Sequence, residues 1–347
     1  MLRTPPRLPL AQLPTPIQAL QRIAIAQADT KIWLKRDDLT GCATSGNKVR
    51  KLEFTLAEAK QAGADVIITC GGVQSNHARA TAILGAQLGL KVHLLLRGEP
   101  EELSGKGNHF LDQLAGATIT CYPSRIYVSQ FRQLVDDLCA HYRQQGLNPY
   151  FITTGASDAT GVWGYLHACE EIRMQSRALG VHFDHIVCAV GSGGTLAGLV
   201  AGEKIHGLNS TIWGINVCET AEIFEQKSRQ DLRDWQLKFP ASVDAAIDVE
   251  QLPIRVIDGY VGAGYGKADV PVYELILQLA RKEGILLDPT YTGKAFFGLL
   301  AELQKGRFQS ARVGEECNIL FIHTGGLFGL LADEKMHAIM ASATPAV

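Results

Sequence analysis

"HIVCAVGSGGTLAG", residues 185–198, decides the fold. Its first six residues are continuously apolar and rich in β-branched side chains, as in a strand covered on both faces. A glycine-rich turn follows, and then a helical segment. Strand, turn and helix form half of a βαβ unit, and the unit recurs along the chain. "KIWLK" (31–35), "DVIITC" (65–70), "KVHLLLR" (91–97), "ATITCY" (117–122), "PYFIT" (149–153), "TIWGINV" (211–217) and "NILFIH" (318–323) read as further strands. Between them, "KVRKLEFTLAEAKQAG" places Val49, Leu52, Phe54, Leu56 and Ala59 largely on one side and stops at Gly63. "NHARATAILGAQLG" repeats Ala80, Ile83, Leu84 and Leu88. The pattern predicts an α/β protein with parallel sheets. An early strand, an inserted βα block at about 50–160 and a return to the first domain would organise it.

At roughly 100–200 residues per domain, 347 residues suggest about two domains. Apolar residues make up 46% and charged ones 20%, the balance of a globular chain that buries a core without staples. Lys and Arg total 33 against 35 for Asp and Glu, a net charge of −2 that offers nothing to nucleic acid or a membrane surface. Eight cysteines, at 42, 70, 121, 139, 169, 188, 218 and 317, have no CxxC spacing. Cys70, Cys188 and Cys317 sit in or beside apolar runs, so the set reads as buried hydrophobes in a reducing cytosol. Prolines break "MLRTPPRLPLAQLPTPIQAL", which has no signal core, and no stretch approaches the roughly 18 apolar residues of a membrane span. The expectation is a soluble cytoplasmic protein. "HFDH" (182–185) leads straight into a strand and makes no convincing metal set. Residues 220–250 are more charged and less regular, and read as a surface excursion.

Four groups of loops carry candidate chemistry. Gly191, Ser192, Gly193, Gly194 and Thr195 lie between strand and helix, where glycine admits a ligand and the helix dipole favours an anion. A dinucleotide fingerprint starting at Gly191 needs glycine at position 196, which is leucine, so a compact phosphate cup fits better than a nicotinamide site. In "GGVQSNHAR" (71–79), Ser75 or Asn76 either caps the next helix or helps free backbone N–H groups to receive a carboxylate. "GCATSGNKV" (41–49) misses a P-loop, because Asn47 separates Gly46 from Lys48 and Val49 replaces the hydroxyl residue. Lys48 is then a solvated cation at a helix start, where the dipole disfavours it, or a covalent group. Tyr265 in "GAGYGKAD" (262–269) and Tyr291 in "LDPTYTGKAFFGL" (287–299) lie in glycine-flanked loops, and Thr324 follows the last strand. Open α/β sheets bind ligands at such carboxyl ends.

Taken in order, these segments resemble the fold-type II pyridoxal-phosphate (PLP) enzymes, the tryptophan synthase β superfamily. More narrowly, "SGNKVRKLE", "GGVQSNHAR", "GSGGTLAG", "DPTYTGKA" and "FIHTGG" resemble the branch of D-cysteine desulfhydrase and 1-aminocyclopropane-1-carboxylate (ACC) deaminase, over about residues 10–335. The resemblance implies two three-layer parallel-sheet domains, a small one at 51–160 inserted in a large one of 1–50 and 161–347, and a homodimer. It implies pyridoxal 5'-phosphate as cofactor and Lys48 as the Schiff-base lysine. Lys51, one turn on, matches a second active-site lysine, with a solvated helix lysine as the other reading. Gly191 through Thr195 match the phosphate cup. Ser75, Asn76 and His77 match the turn beside the cofactor ring and substrate carboxylate, and Tyr265 and Tyr291 match two active-site tyrosines.

Two positions separate the branch members. ACC deaminases have glutamate after the second tyrosine and end the last strand with His-Leu-Gly-Gly. Here Thr292 and Thr324 stand at those places, as in the desulfhydrases. A carboxylate near the pyridine nitrogen would keep it protonated and strengthen the electron sink, whereas a threonine hydroxyl suits an unprotonated nitrogen. The weaker sink suffices when thiol leaves Cβ. The resemblance therefore implies α,β-elimination of D-cysteine to pyruvate, hydrogen sulfide and ammonia. The alternatives are ACC deaminase, L-cysteate sulfo-lyase, a D-serine or chloroalanine eliminase, and a non-catalytic PLP-binding regulatory protein.

Overall fold

The computed structural model describes residues 3–343, apart from 26, 28, 241–246, 311 and 313. Two sheets organise it. The larger uses β1 (Ile17–Ala19), β2 (Thr30–Lys35), β7 (His185–Val190), β8 (Thr211–Asn216), β9 (Val256–Ile257) and β10 (Cys317–Ile322), in the order β1-β2-β10-β7-β8-β9. The smaller uses β3 (Val66–Gly72), β4 (Lys91–Arg97), β5 (Thr118–Tyr122) and β6 (Pro149–Ile152), in the order β5-β4-β3-β6. All eight strands read from the sequence are present, with ends moved by a residue or two. The short β1 and β9 were not foreseen, and β1 pairs antiparallel with β2, Ile17 opposite Lys35. The other pairings are parallel.

The helices of the described residues include α1 (Lys48–Gln61), α2 (Asn76–Gln87), α3 (Gly107–Leu114), α4 (Ser124–Gln144), α5 (Val162–Leu179), α6 (Gly194–His206), α7 (Ala221–Lys238), α8 (Val270–Glu283) and α9 (Thr292–Gln304). Glycines let three of them approach closely. A Cβ on Gly198 of α6 would stand 2.6 Å from Cβ of Tyr165 on α5, and one on Gly202 would stand 2.7 Å from Cβ of Cys169. A Cβ on Gly164 of α5 would meet the Arg50 backbone of α1 at 2.7 Å. The helix carrying Lys48 and the helix that follows the glycine loop are thus both locked onto α5.

Buried charge locks α1 further. The Arg50 guanidinium donates to both carboxylate oxygens of Asp37, each at 2.8 Å, and to Glu171 at 3.0 Å. Tyr165 donates to Asp37 at 2.6 Å, and Lys35 pairs with Glu171. Removing one member of such a set leaves an unanswered buried charge and costs about 3–5 kcal/mol. Here α1 differs from the one-sided amphipathic helix of the sequence reading: Arg50, Lys51 and Glu53 are buried beside its apolar residues.

Residues 220–250 are corrected too. Their first part is α7, which buries Phe224, Leu232 and Trp235 in the core around α5 and α6. Positions 241–246 lie outside the described residues. The proposed domain cut at 50/51 falls inside the continuous helix α1. All eight cysteines are unpaired, and Cys42 is the exposed one. Among the described residues no helix is long and apolar enough to cross a membrane.

Candidate active site

The carboxyl ends of strands from both sheets surround a cavity of about 230 Å³. β3 supplies Gly71 and Gly72, β4 Arg97, and β7 the turn beginning at Gly191; Cys218 follows β8 and Thr324 follows β10. Lys48, Ser75, Asn76, His77, Ser192, Gly193, Thr195, Tyr265 and Tyr291 complete most of the wall. The four loop groups of the sequence therefore meet around one cavity.

Lys48 is the first residue of α1. The preceding turn is held against the loop after β10: Asn47 N–H donates to the Thr324 carbonyl at 3.2 Å, and Gly46 has φ of 116° where a Cβ would strike that carbonyl. The Lys48 amine donates to Asn47 Oδ1 at 3.1 Å, while Asn47 Nδ2 donates to the Thr195 hydroxyl at 3.0 Å. Asn47 thus ties the lysine to the glycine-rich turn, a role the sequence reading did not assign. Burial lowers the Lys48 pKa to about 8, with the Asp288 carboxylate acting in the opposite direction. Desolvation thus raises the share of free amine near neutral pH.

Lys51 is fully buried, which rules out the solvated reading. Its amine donates to Ser157 Oγ at 3.2 Å, and Ser157 donates to Ser192 Oγ at 2.8 Å. Burial first, and then the Lys48 charge, hold Lys51 well below an ordinary lysine. The Gly194 N–H also turns to Ser157, at 3.2 Å, so Gly194 braces the turn from behind while Gly191, Ser192, Gly193 and Thr195 face the cavity. Gly193 has φ of 89°, and a Cβ on Gly191 would lie 2.9 Å from the Tyr291 ring. A cup closed so tightly by glycine, at the head of a 13-residue helix, fits a phosphate.

On the facing sheet, Ser75 is the N-cap of α2 and accepts from Ala78 N–H at 3.1 Å, which decides between Ser75 and Asn76. Asn76 Oδ1 accepts from Asn108 at 3.2 Å. The expected ligand role of the His77 imidazole is modified: its Nε2 lies 2.8 Å from the Thr69 hydroxyl, inside the fold. Burial, then Lys48 and Lys51, hold His77 well below the usual histidine range, so it is neutral. Tyr265 and Tyr291 hydroxyls are 2.7 Å apart. Burial raises both pKa values, that of Tyr291 strongly.

Thr292 needs correction. It does not line the cavity: its hydroxyl donates to Asp288 Oδ1 at 2.6 Å and accepts from Asp288 N–H at 2.8 Å. Asp288 in turn accepts from the N–H groups of Thr290, Tyr291 and Thr292 at 2.8–3.0 Å, fixing the turn that presents Tyr291. Thr324 remains on the wall. Lys294 donates to the carbonyls of Val217, Val261 and Gly264 at 2.7–3.3 Å and so pins the Tyr265 loop. Asn47, Arg97, Tyr127, Ser157, Cys218 and Asp288 were all missed as members of the site. Asn47 and Asp288 lay in quoted motifs and Arg97 ended a quoted strand, but no site role was assigned to them; Tyr127, Ser157 and Cys218 reach the site through tertiary packing.

A buried lysine of lowered pKa, a glycine-rich turn at a helix head and a tyrosine pair face one cavity, and the sequence model of the "Pyridoxal-phosphate dependent enzyme" family matches residues 8–325. The chain belongs to that family. Its cofactor is PLP. The chain is 39% identical to the putative 1-aminocyclopropane-1-carboxylate deaminase of Pyrococcus abyssi, over 94% of this chain and 93% of that one. It is 38% identical to the mitochondrial bifunctional D-cysteine desulfhydrase/1-aminocyclopropane-1-carboxylate deaminase of Arabidopsis thaliana, over 92% and 78%. A crystal structure of an ACC deaminase homologue superposes with a TM-score of 0.83 at 36% identity, covering 97% of this chain and 96% of that one. In this PLP-dependent enzyme, Lys48, Asn47, Gly191, Ser192, Gly193 and Thr195 stand together on the cavity wall.

Proposed function

We propose that this PLP-dependent enzyme is a carbon–sulfur lyase that converts D-cysteine to pyruvate, hydrogen sulfide and ammonia. The observation that carries the proposal is the polarity of the wall after β10. Thr324, a neutral polar residue, lines it, and the Asp288 carboxylate is consumed by Thr292 and three backbone N–H groups. Among the described residues no Asp lines the cavity, and the Glu that does, Glu219, is exposed. Such a wall favours elimination of a good leaving group over opening of an unactivated ring. The bifunctional plant relative, named for both reactions, keeps ring opening as the second reading.

Bound here, PLP supplies an aldehyde for the substrate amine and an electron sink for the carbon that loses its proton. The protein does the rest. Lys48, with a pKa of about 8, carries the amine that can hold the cofactor and then take the Cα proton. The Ser75 turn with its unspent backbone donors receives the carboxylate. Tyr291, protonated and hydrogen-bonded to Tyr265, is placed to pass a proton to the departing group. The test is product analysis on the holoenzyme. D-cysteine should give sulfide and pyruvate in equal amounts, and ACC should give essentially no 2-oxobutanoate. Rapid 2-oxobutanoate release from ACC would replace the desulfhydrase reading with the deaminase one.

A further inference from the structure

Arg97 carries a charge on the cavity wall that the protein itself leaves unanswered. It ends β4, is half-buried, and lies beside Gly72 of β3 in the sheet, close to the Ser75 turn. Its guanidinium sits 5.5 Å from the centroid of the Tyr265 ring. Its positive charge is also felt by Tyr127 and Cys218, which line the same cavity. Among the described residues it has no hydrogen bond and no ion pair through its side chain; the ring of Tyr265 is its contact. Other buried or half-buried arginines behave differently. Arg36 pairs with Asp38, Arg50 with Asp37 and Glu171, and Arg79 spends its donors on Asn108 and two carbonyls. Glu219 lines the cavity too, but it is exposed and makes no ion pair with Arg97.

A guanidinium offers five N–H donors in a planar fork suited to carboxylate or sulfonate, and partial burial without a partner is unfavourable. Two anionic groups already have places: the cofactor phosphate at 191–195 and the α-carboxylate at the Ser75 turn. Arg97 is a third position. We propose that Arg97 is the specificity-determining residue for the β-substituent, and that the cavity selects small amino acids whose β-carbon carries or releases a negatively charged group. This rests on the amino-acid reading above. Hydrosulfide is such a group: it leaves with both electrons of the Cβ–S bond while the Cα proton passes to the protein. A sulfonate or carboxylate on Cβ presents its charge before any bond breaks.

The test compares ligand binding to the wild-type, Arg97→Gln and Arg97→Lys holoenzymes, read from the visible absorbance of the cofactor. The probes are D-alanine, D-aspartate and D-asparagine, the last two being near-isosteres that differ in charge. The wild type should bind D-aspartate about 10-fold or more tighter than D-asparagine, the size of one charge-assisted hydrogen bond. Arg97→Gln should abolish that preference and Arg97→Lys should keep part of it, with D-alanine bound alike by all three. Equal binding of the two isosteres by the wild type, or a preference that survives in Arg97→Gln, would overturn the assignment. If Arg97→Gln does not fold, Arg97→Lys decides: a reduced preference with D-alanine unchanged supports the role, and an equal loss for all three probes refutes it. Failure of the wild type to bind any of the probes or D-cysteine would instead overturn the amino-acid reading itself.

Discussion

At pH 7 an ordinary lysine is protonated by about 2,500 to one, whereas a pKa of about 8 reduces the ratio to about ten to one. That gain in free amine is what Lys48 receives from burial. Two outcomes follow. Borohydride reduction of the holoenzyme should leave the pyridoxyl group on Lys48; a label on Lys51 would sink the assignment, and so would one on Lys294, whose amine is committed to three carbonyls. The apoprotein carries the linked stability effect. Its Lys48 pKa is depressed from 10.5, so between about pH 8 and 10.5 the unfolded chain binds more protons and stability rises with pH. Lys48→Met should make the apoprotein more stable to urea at pH 7 and less so relative to wild type at pH 9.5. Lys48 and the two tyrosines were legible because motif and loop setting travel together in the sequence. Asn47 was not, since its meaning depends on Thr195, 148 positions away. Thr292 misled for a related reason: its neighbour Asp288 claims the hydroxyl that the sequence leaves free.

α6 and α9 show how elements hold these residues in place. Gly198→Leu would drive a side chain into Tyr165 and Val162, and overpacking of this kind costs about 1–3 kcal/mol. Urea unfolding should register the loss, and cofactor affinity should fall with it, because the phosphate turn is the head of the same helix. Asp288→Ala removes the carboxylate that accepts from the N–H groups of Thr290, Tyr291 and Thr292 in the turn ahead of α9, and losing a hydrogen bond to a charged group costs about 1.5–3 kcal/mol. Its kinetic mark should be a larger drop in kcat than in substrate affinity, since it releases the turn presenting Tyr291; an unchanged kcat would show that Tyr291 needs no such support. Strand existence was plain from eight apolar runs. β1 and β9, three and two residues long, are too short to leave a pattern. α7 was misread because two of its buried positions are polar: Ser228 donates to the Gly193 carbonyl at 3.2 Å, and Asp231 pairs with Lys227. A helix face built to brace a phosphate turn loses its apolar stripe.

Across the whole molecule, the cavity is a seam whose walls come from the carboxyl ends of two separate sheets. A ligand in the seam touches both, so cofactor binding stabilises the native chain by mass action, about 2.7 kcal/mol at a hundred times its Kd. Thermal unfolding of apo and holo forms should differ accordingly, with hydrogen-exchange protection gained at both 71–77 and 191–195. Protection confined to one wall would mean that the two sheets do not share the ligand. The parallel α/β class could be read in the alternation of strands and helices, and the division into two sheets came with the family resemblance. The pairing order could not, because β10 lies between β2 and β7 through contacts that join residues over 130 positions apart.

Cys42, the exposed thiol among eight, stands six positions before Lys48, ahead of the Gly46–Asn47 turn that abuts the Thr324 loop. Nature has left a mounting point for a dye there. A thiol-reactive fluorophore at that position, with no cysteine engineered in or out, would ride on the segment that leads into the Lys48 turn, and its emission could follow loading and ligand exchange in real time.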